Sequence, residues 1–137
     1  GFLTITGRVK DLFKTDKGKY ISPSGIEMRL TDDPLVEQAC VVGMGIPQPI
    51  ALVVLSEVAK TLAAEACDIQ LVNLMQRINA QLESHEKLEK MVILPEPWTV
   101  ENGKMTPTMK VKRSEVESSH QAHYKDWFHS EGIIIRL

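Results

Sequence analysis

The hydrophobic pattern of this 137-residue chain changes its period several times, and each change marks an element. At the start, GFLTITGRV sets Phe2, Thr4 and Thr6 against Leu3 and Ile5, a period of two that predicts a short strand or hairpin edge. KDLFKTDKGKY follows as a charged loop with Gly18 inside it. SPSGIEMRL then offers Ser22 as an N-cap and Pro23 at the first helical position, and TDD with Pro34 closes that helix early. Two Val-rich runs, ACVVG at 39–43 and IALVVL at 50–55, flank MGIPQP and predict paired strands with a Pro-bearing connection.

From Ser56 the period becomes helical. SEVAKTLAAEAC predicts a short Ala-rich helix, and Asp68 is expected to cap a longer one that runs on through SHEKLEK. Leu71, Leu74, Met75, Ile78 and Leu82 share one face of it, most simply a core face. MVILP reads as a further strand. Asn102-Gly103, set between alternating residues in WTVENGKMT, predicts a tight hairpin. RSEVESSHQAHYKDWFHS places Val116, His120, Tyr124 and Trp127 on one stripe of a terminal amphipathic helix. Strands interleaved with helices in a chain of this size predict an α+β domain. It should be a small two-layer sandwich in which a short mixed or antiparallel sheet and a hairpin pack with helices.

Composition narrows the function. With 43% apolar and 25% charged residues, the chain is an ordinary globular one, long enough to bury a core without disulfides. A net charge of −2 argues against broad nucleic-acid binding. Cys40 and Cys67 sit in apolar contexts and suit a reducing compartment. The apolar runs are too short to span a bilayer and no signal peptide is visible, so the expected location is cytoplasmic. Gly1 in place of Met, with an opening that reads as mid-chain sequence, predicts a piece of something longer.

Familiar chemical motifs are missing. GKM at 103–105 has Trp98 where a phosphate loop needs its first Gly, and GMG at 43–45 has Gln48 where a dinucleotide fingerprint needs its third. His120 and His123 lie three apart with no further ligand cluster, so no metal site is expected. Two charged segments remain. One is the run from Gly7 to Asp11, which reads alone as a solvated strand exit. The other is ENGKMTPTMKVKR at 101–113, which gathers Lys104, Lys110, Lys112 and Arg113. Pro107 stiffens its backbone, and Thr106 and Thr108 can tie the loop through their hydroxyls. This cluster is either a solvated basic turn or an anion site built for a phosphate.

ITGRVKDLFKTDKGKYISPSGIE, VEQACVVGMGIPQPIALVVLS and NGKMTPTMKVKR follow one another in the order and spacing of a known family. Over nearly its whole length the chain resembles the C-terminal domain of adenylate-forming (AMP-binding) acyl-coenzyme A synthetases, the long-chain fatty acid–CoA ligase type most. The resemblance implies that residues 1–11 are a hinge segment from an N-terminal domain and 12–137 a C-terminal lid. It implies an ATP-dependent acid–thiol ligase that converts a fatty acid to acyl-AMP and then passes the acyl group to coenzyme A. ATP and Mg2+ would be held mainly by the N-terminal adenylation domain, the lid's partner, and the lid alone would be inactive.

The same resemblance carries over to single residues. Lys10, with Asp11 beside it, matches the hinge, and Arg8 an arginine that accompanies the nucleotide. Gly18 and Lys19 match the loop bordering the coenzyme A channel, and Glu27 matches an Ile-Glu pair read as structural. TPTMK fits the long-chain T-P-T-x-K pattern and assigns the adenylation lysine to Lys110. PWTVENGK fits the alternative P-x-T-x-x-G-K with one residue too many, pointing to Lys104, which is otherwise expected to face solvent on its turn. Lys112 and Arg113 would keep the local potential positive or begin the last helix. The acidic balance and the lack of aromatics among the cations argue against a nucleic-acid partner, and peripheral membrane association of the full-length enzyme is left open. Two rival readings are the lid of an adenylating enzyme that loads a carrier protein, and a free-standing module binding phosphate or nucleic acid.

Overall fold

The structure, a computed structural model, describes residues 12–108 and 110–137. The strand expected at 1–9, together with Arg8, Lys10 and Asp11, lies outside the described residues.

Where the sequence suggested a charged loop, the chain forms a hairpin. Strands β1 (Phe13–Lys14) and β2 (Tyr20–Ile21) pair antiparallel, Phe13 opposite Ile21. Both of these side chains are buried, and their burial draws the ends of the charged segment together. Gly18 takes φ +81° at the turn, a conformation in which a Cβ is strained. Helix α1 (Pro23–Thr31) follows, with Pro23 opening it and Ser22 at the cap position without a side-chain cap bond.

Strands β3 (Val36–Val42) and β4 (Ile50–Leu55) pair antiparallel, with a bulge between Val36 and Gln38. A short helix α2 (Glu57–Lys60) is capped by Ser56, whose Oγ accepts from the Ala59 N–H at 3.2 Å. Helix α3 (Ala64–Asn79) leads to β5 (Lys90–Ile93), which runs parallel to β4. Helices α4 (Arg113–His120) and α5 (Tyr124–His129) lead to β6 (Ile134–Arg136), parallel to β5. The sheet is therefore mixed, in the order β3-β4-β5-β6.

The apolar residues of the sheet alternate between two cores. Val41, Ala51, Val53, Met91 and Ile93 face α1 and α3, while Val42, Leu52, Val54 and Val92 face α4, α5 and Trp98. Helices thus cover both faces of the sheet, a fuller layering than two. That double burial is why IALVVL is apolar at every position instead of alternating.

Four expectations need correction. Helix α3 starts at Ala64, so Asp68 is an interior residue; its carboxylate pairs with Arg136 at 2.7 Å. Ala64 and Ala66 favour helix strongly, and Cys67 is buried in phase with Leu71, Leu74 and Ile78, so packing begins the helix early. The same helix stops at Asn79, whose side chain accepts from Leu88 N–H at 2.8 Å and donates to its carbonyl at 3.1 Å. SHEKLEK contributes one 3-10 turn (Ser84–Glu86) rather than more α-helix. Third, the terminal amphipathic stretch is two helices, joined by a 3-10 turn at Gln121–His123. Val116, Tyr124 and Trp127 nonetheless share the buried side as expected.

The fourth concerns Asn102-Gly103. Gly103 does take φ +79°, but the flanking residues do not form strands. The Asn102 Oδ1 instead accepts from the N–H groups of Thr99 and Lys104, each at 3.0 Å, so the side chain absorbs the bonds a ladder would have made. The antiparallel bridge of this region, Met105 opposite Val111, encloses the next loop. No helix among the described residues is long and apolar enough to cross a membrane.

Candidate functional site: a basic loop on two anchors

The loop between Met105 and Val111 is closed by its own chemistry. The Thr106 N–H donates to the Lys110 carbonyl at 2.8 Å, and the Lys110 N–H donates to Thr106 Oγ1 at 3.1 Å. The hydroxyls of Thr106 and Thr108 lie 2.9 Å apart and share a hydrogen bond. Thr-Pro-Thr therefore ties the turn as the sequence predicted, and the Lys110 side chain leaves it exposed to solvent. Local bonds of this kind fix the loop's shape. They do not fix where it stands on the domain.

Placement comes from the two anchors. On the upstream side Met105 is buried, and its Sδ meets Gln38 Nε2 at 3.2 Å. The Lys104 carbonyl accepts from Lys112 N–H at 2.7 Å. The Lys104 ammonium donates to the Glu115 carbonyl at 3.2 Å and to the Ser119 hydroxyl. Lys104 was expected to face solvent from its turn; instead it is half-buried and holds its charge against α4.

On the downstream side stands Arg113, the first residue of α4. Its guanidinium reaches both oxygens of Glu27 on α1, at 2.9 and 2.8 Å, and donates to the Val41 carbonyl at 2.9 Å and to Cys40 Sγ at 3.4 Å. Glu27 Oε2 also accepts from the Val41 N–H at 2.7 Å. The two side chains are only 20% and 16% exposed, so this pair is substantially shielded from water. Removing one partner of a buried ion pair costs about 3–5 kcal/mol. The expected structural role of Glu27 is thus met, and the four cations of the sequence cluster divide. Lys104 and Arg113 are engaged within the domain, while Lys110 and Lys112 are exposed.

A polar patch extends from this pair. Tyr124 OH donates to Glu117 Oε1 at 3.3 Å. Burial raises the Glu117 pKa above the usual carboxylate range, against the opposing pull of the Tyr124 bond and of Arg113. Burial, with the Glu117 charge next, pushes the Tyr124 phenol upward too, so it remains a donor. Beside them, a cleft of about 340 Å³ opens among Leu94, Trp98, Lys104, Ser119, His120 and Leu137. Burial, then Lys104 and His123, lower the His120 pKa. His120 and His123 both lie against the Trp127 ring, at 5.8 and 5.5 Å between centroids. Among the described residues no group of three His, Cys, Asp or Glu could hold a metal ion.

Gly18 and Lys19 occupy the exposed tip of the β1–β2 hairpin. The Lys19 carbonyl accepts from the Thr15 N–H at 2.9 Å, and Lys14 Nζ lies 5.7 Å from the Tyr20 ring centroid. A Cβ on Gly18 would meet only Lys14 Cε, at 3.7 Å, so the glycine answers to the turn and not to crowding within the domain. The hairpin is seated by the Asp16 N–H on the Ile46 carbonyl at 3.2 Å, and by Phe13 beneath Gly43.

Neither anchor could be read from the sequence alone. Gln38 and Glu27 are ordinary polar residues, and the partners that give them meaning lie 67 and 86 positions away.

The described residues thus form a mixed sheet with helices on both faces, an exposed glycine hairpin and a clamped Thr106–Lys110 loop. The chain belongs to the AMP-binding enzyme C-terminal domain family, whose pattern it matches over residues 10–131. It is 35% identical to the long-chain-fatty-acid–CoA ligase FadD15 of Mycobacterium tuberculosis, in an alignment covering 85% of this chain and 22% of that protein. To the long-chain-fatty-acid–CoA ligase 5 of Mus musculus it is 32% identical over 95% of this chain and 22% of the relative. The A-PCP didomain of carboxylic acid reductase from Segniliparus rugosus, solved with AMP, superposes with a TM-score of 0.72 at 26% identity, covering 85% of this chain and 17% of that one. The chain therefore spans about a fifth of the length of these proteins.

Proposed function

We propose that this chain is the mobile lid of a long-chain fatty acid–CoA ligase, and that Lys110 is the residue it brings to the reaction. The observation that carries this reading is the self-tied Thr106–Lys110 turn, which sends one ammonium outward while Lys104 and Arg113 are held inward. A lysine whose backbone is already fixed has less freedom to lose on reaching an anion.

In the first half-reaction a fatty carboxylate oxygen attacks the α-phosphorus of ATP, forming acyl-AMP and releasing pyrophosphate. Negative charge grows on the oxygens around phosphorus, and the Lys110 ammonium stabilises it more in the transition state than in the ground state. In the second, the coenzyme A sulfur attacks the acyl carbon, the thiol gives up its proton, and AMP leaves. Rotation about Lys10 and Asp11, in the hinge segment 1–11, withdraws Lys110 and presents Gly18 and Lys19 to the thiol's channel. Arg8 stays with the nucleotide. ATP, and any Mg2+ with it, belong to the N-terminal adenylation domain; among the described residues no group of three His, Cys, Asp or Glu could hold a metal ion. The buried thiols of Cys40 and Cys67 are in keeping with a reducing, cytoplasmic setting.

The test is made in the full-length enzyme. Lys110→Ala should lower acyl-adenylate formation about 10²–10³-fold, as loss of a single transition-state donor does elsewhere. Thioester formation from supplied acyl-adenylate should stay near normal. Lys104→Ala, which loosens the upstream anchor and leaves the outward ammonium in place, should lower adenylation less than Lys110→Ala does. Equal loss of both steps in Lys110→Ala, or collapse of adenylation in Lys104→Ala alone, would refute the assignment. A second reading, a carrier-bound thiol in place of free coenzyme A, is favoured by the likeness to the reductase didomain. Competition between coenzyme A and a carrier protein for the acyl group separates the two.

A further inference from the structure

We infer that the Glu27–Arg113 pair is a positioning device for Lys110, setting where the basic loop stands relative to the rest of the lid. The inference rests on the reading of Lys110 above. Its ground is mechanical. The loop's internal bonds run between residues 106 and 110, so they would survive if the whole loop tilted. What opposes tilting is the attachment on either side. Upstream, the Met105 thioether contact and the backbone bond between Lys104 and Lys112 hold the two legs of the loop to each other and to Gln38. Downstream, the side chain three residues beyond Lys110 crosses to another element altogether.

That crossing is rigid for a reason of chemistry. A guanidinium is planar and presents its N–H groups in fixed directions, so two of its nitrogens held by different partners fix orientation as well as distance. Here one nitrogen of Arg113 meets both oxygens of Glu27, and the other meets the Val41 carbonyl. Glu27 in turn holds the Val41 N–H. The start of α4 is thereby fixed to both backbone groups of one β3 residue, and β3 lies in the sheet that all of the helices pack on. A lysine would supply the same charge without the fork, and the loop would gain freedom about that joint. Misplacement of a reacting group by about 1 Å can cost about 10²-fold in rate.

Glu27 also lies on the helix that begins directly after the Gly18 hairpin. The hairpin itself is seated separately, by the Asp16 N–H on the Ile46 carbonyl. Because the thiol's channel needs the hairpin and not the ammonium, loosening the joint acts on one half-reaction and spares the other.

The experiment uses the full-length enzyme and measures the half-reactions separately, alongside thermal unfolding. In Arg113→Lys, kcat for adenylation, read by pyrophosphate exchange, should fall at least ten-fold. KM for ATP, and thioester formation from supplied acyl-adenylate, should stay within about two-fold. Glu27→Gln, which keeps an acceptor for the Val41 N–H, should give the same split if Arg113→Lys does not accumulate as folded protein. Equal decline of both half-reactions in these variants would mark the pair as merely structural and overturn the inference. So would unchanged adenylation. Lys110→Ala, run in parallel, separates the two failures: if it spares adenylation, the reading of Lys110 falls and the inference with it. If it abolishes adenylation while Arg113→Lys does not, the inference alone falls.

Discussion

Gln38 and Trp98 pair like two neighbouring strand residues, although they stand sixty positions apart and one of them contributes only its side chain. The Gln38 carboxamide accepts from the Trp98 N–H at 2.8 Å and donates to the Trp98 carbonyl at 3.0 Å. Trp98, 4% exposed, is thereby fixed over the core that α4 and α5 complete. Gln38→Ala should leave both Trp98 backbone groups without partners and destabilise the domain by about 1–3 kcal/mol. For a chain of this length that is a fall of roughly 3–10 °C in Tm, read by thermal unfolding.

Gly43 and Gly45 flank Met44 and should respond differently to the same change. A Cβ on Gly43 would lie 3.0 Å from Pro49 Cα and 3.1 Å from Phe13 Cε1, so backbone and hairpin must both give way. A Cβ on Gly45 meets nothing within 4 Å and suffers only the strain of φ +84°, about 1 kcal/mol. Gly43→Ala should cost more, about 1–3 kcal/mol. It should also speed hydrogen exchange at the Thr15 and Asp16 amides, which seat the β1–β2 hairpin. Gly45→Ala should leave those amides as they are.

Glu117 gives the domain a pH dependence of definite sign. In the unfolded chain it titrates in the ordinary carboxylate range, whereas in the fold burial keeps its proton on to higher pH. The folded state binds more protons throughout that interval, so stability falls as pH rises through it. Glu117→Gln retains an acceptor for the Tyr124 hydroxyl and removes the titration. The variant should have a higher Tm than the parent at pH 7 to 8. That advantage should vanish once the pH drops below the unfolded carboxylate range. A gap that stays constant with pH would contradict this account.

The parts of the fold legible in the sequence are those carried by period and by local bonds. The β3 and β4 runs, the α1 start at Pro23 and the core face of α3 declare themselves because their neighbours in space are neighbours in pattern. The Thr106–Lys110 turn was legible for the same reason, since its bonds span at most four residues. Hidden were the features set by distant partners. Strand β6 is three residues long, too short for any alternation, and becomes a strand by lying beside β5. Its approach is held by Lys90, a buried lysine whose ammonium donates to the carbonyls of Ser130 and Gly132. Asp68 looked like a cap because acids favour that place, and packing of Cys67 overrode the preference. The engagement of Lys104 and Arg113 was hidden likewise: charge is visible in a sequence, and its partner is not.

The way Val41 is satisfied has a consequence for how the molecule behaves among its own copies. The outer rim of a β-sheet is ordinarily a row of unmet donors and acceptors on which a foreign chain can lay itself down. Here Glu27 and Arg113 occupy both backbone groups of Val41, Gln38 turns inward to Trp98, and the bulge after Val36 spoils the register. Side chains have been set where another strand would otherwise zip on, which leaves that flank of the domain resistant to aggregation.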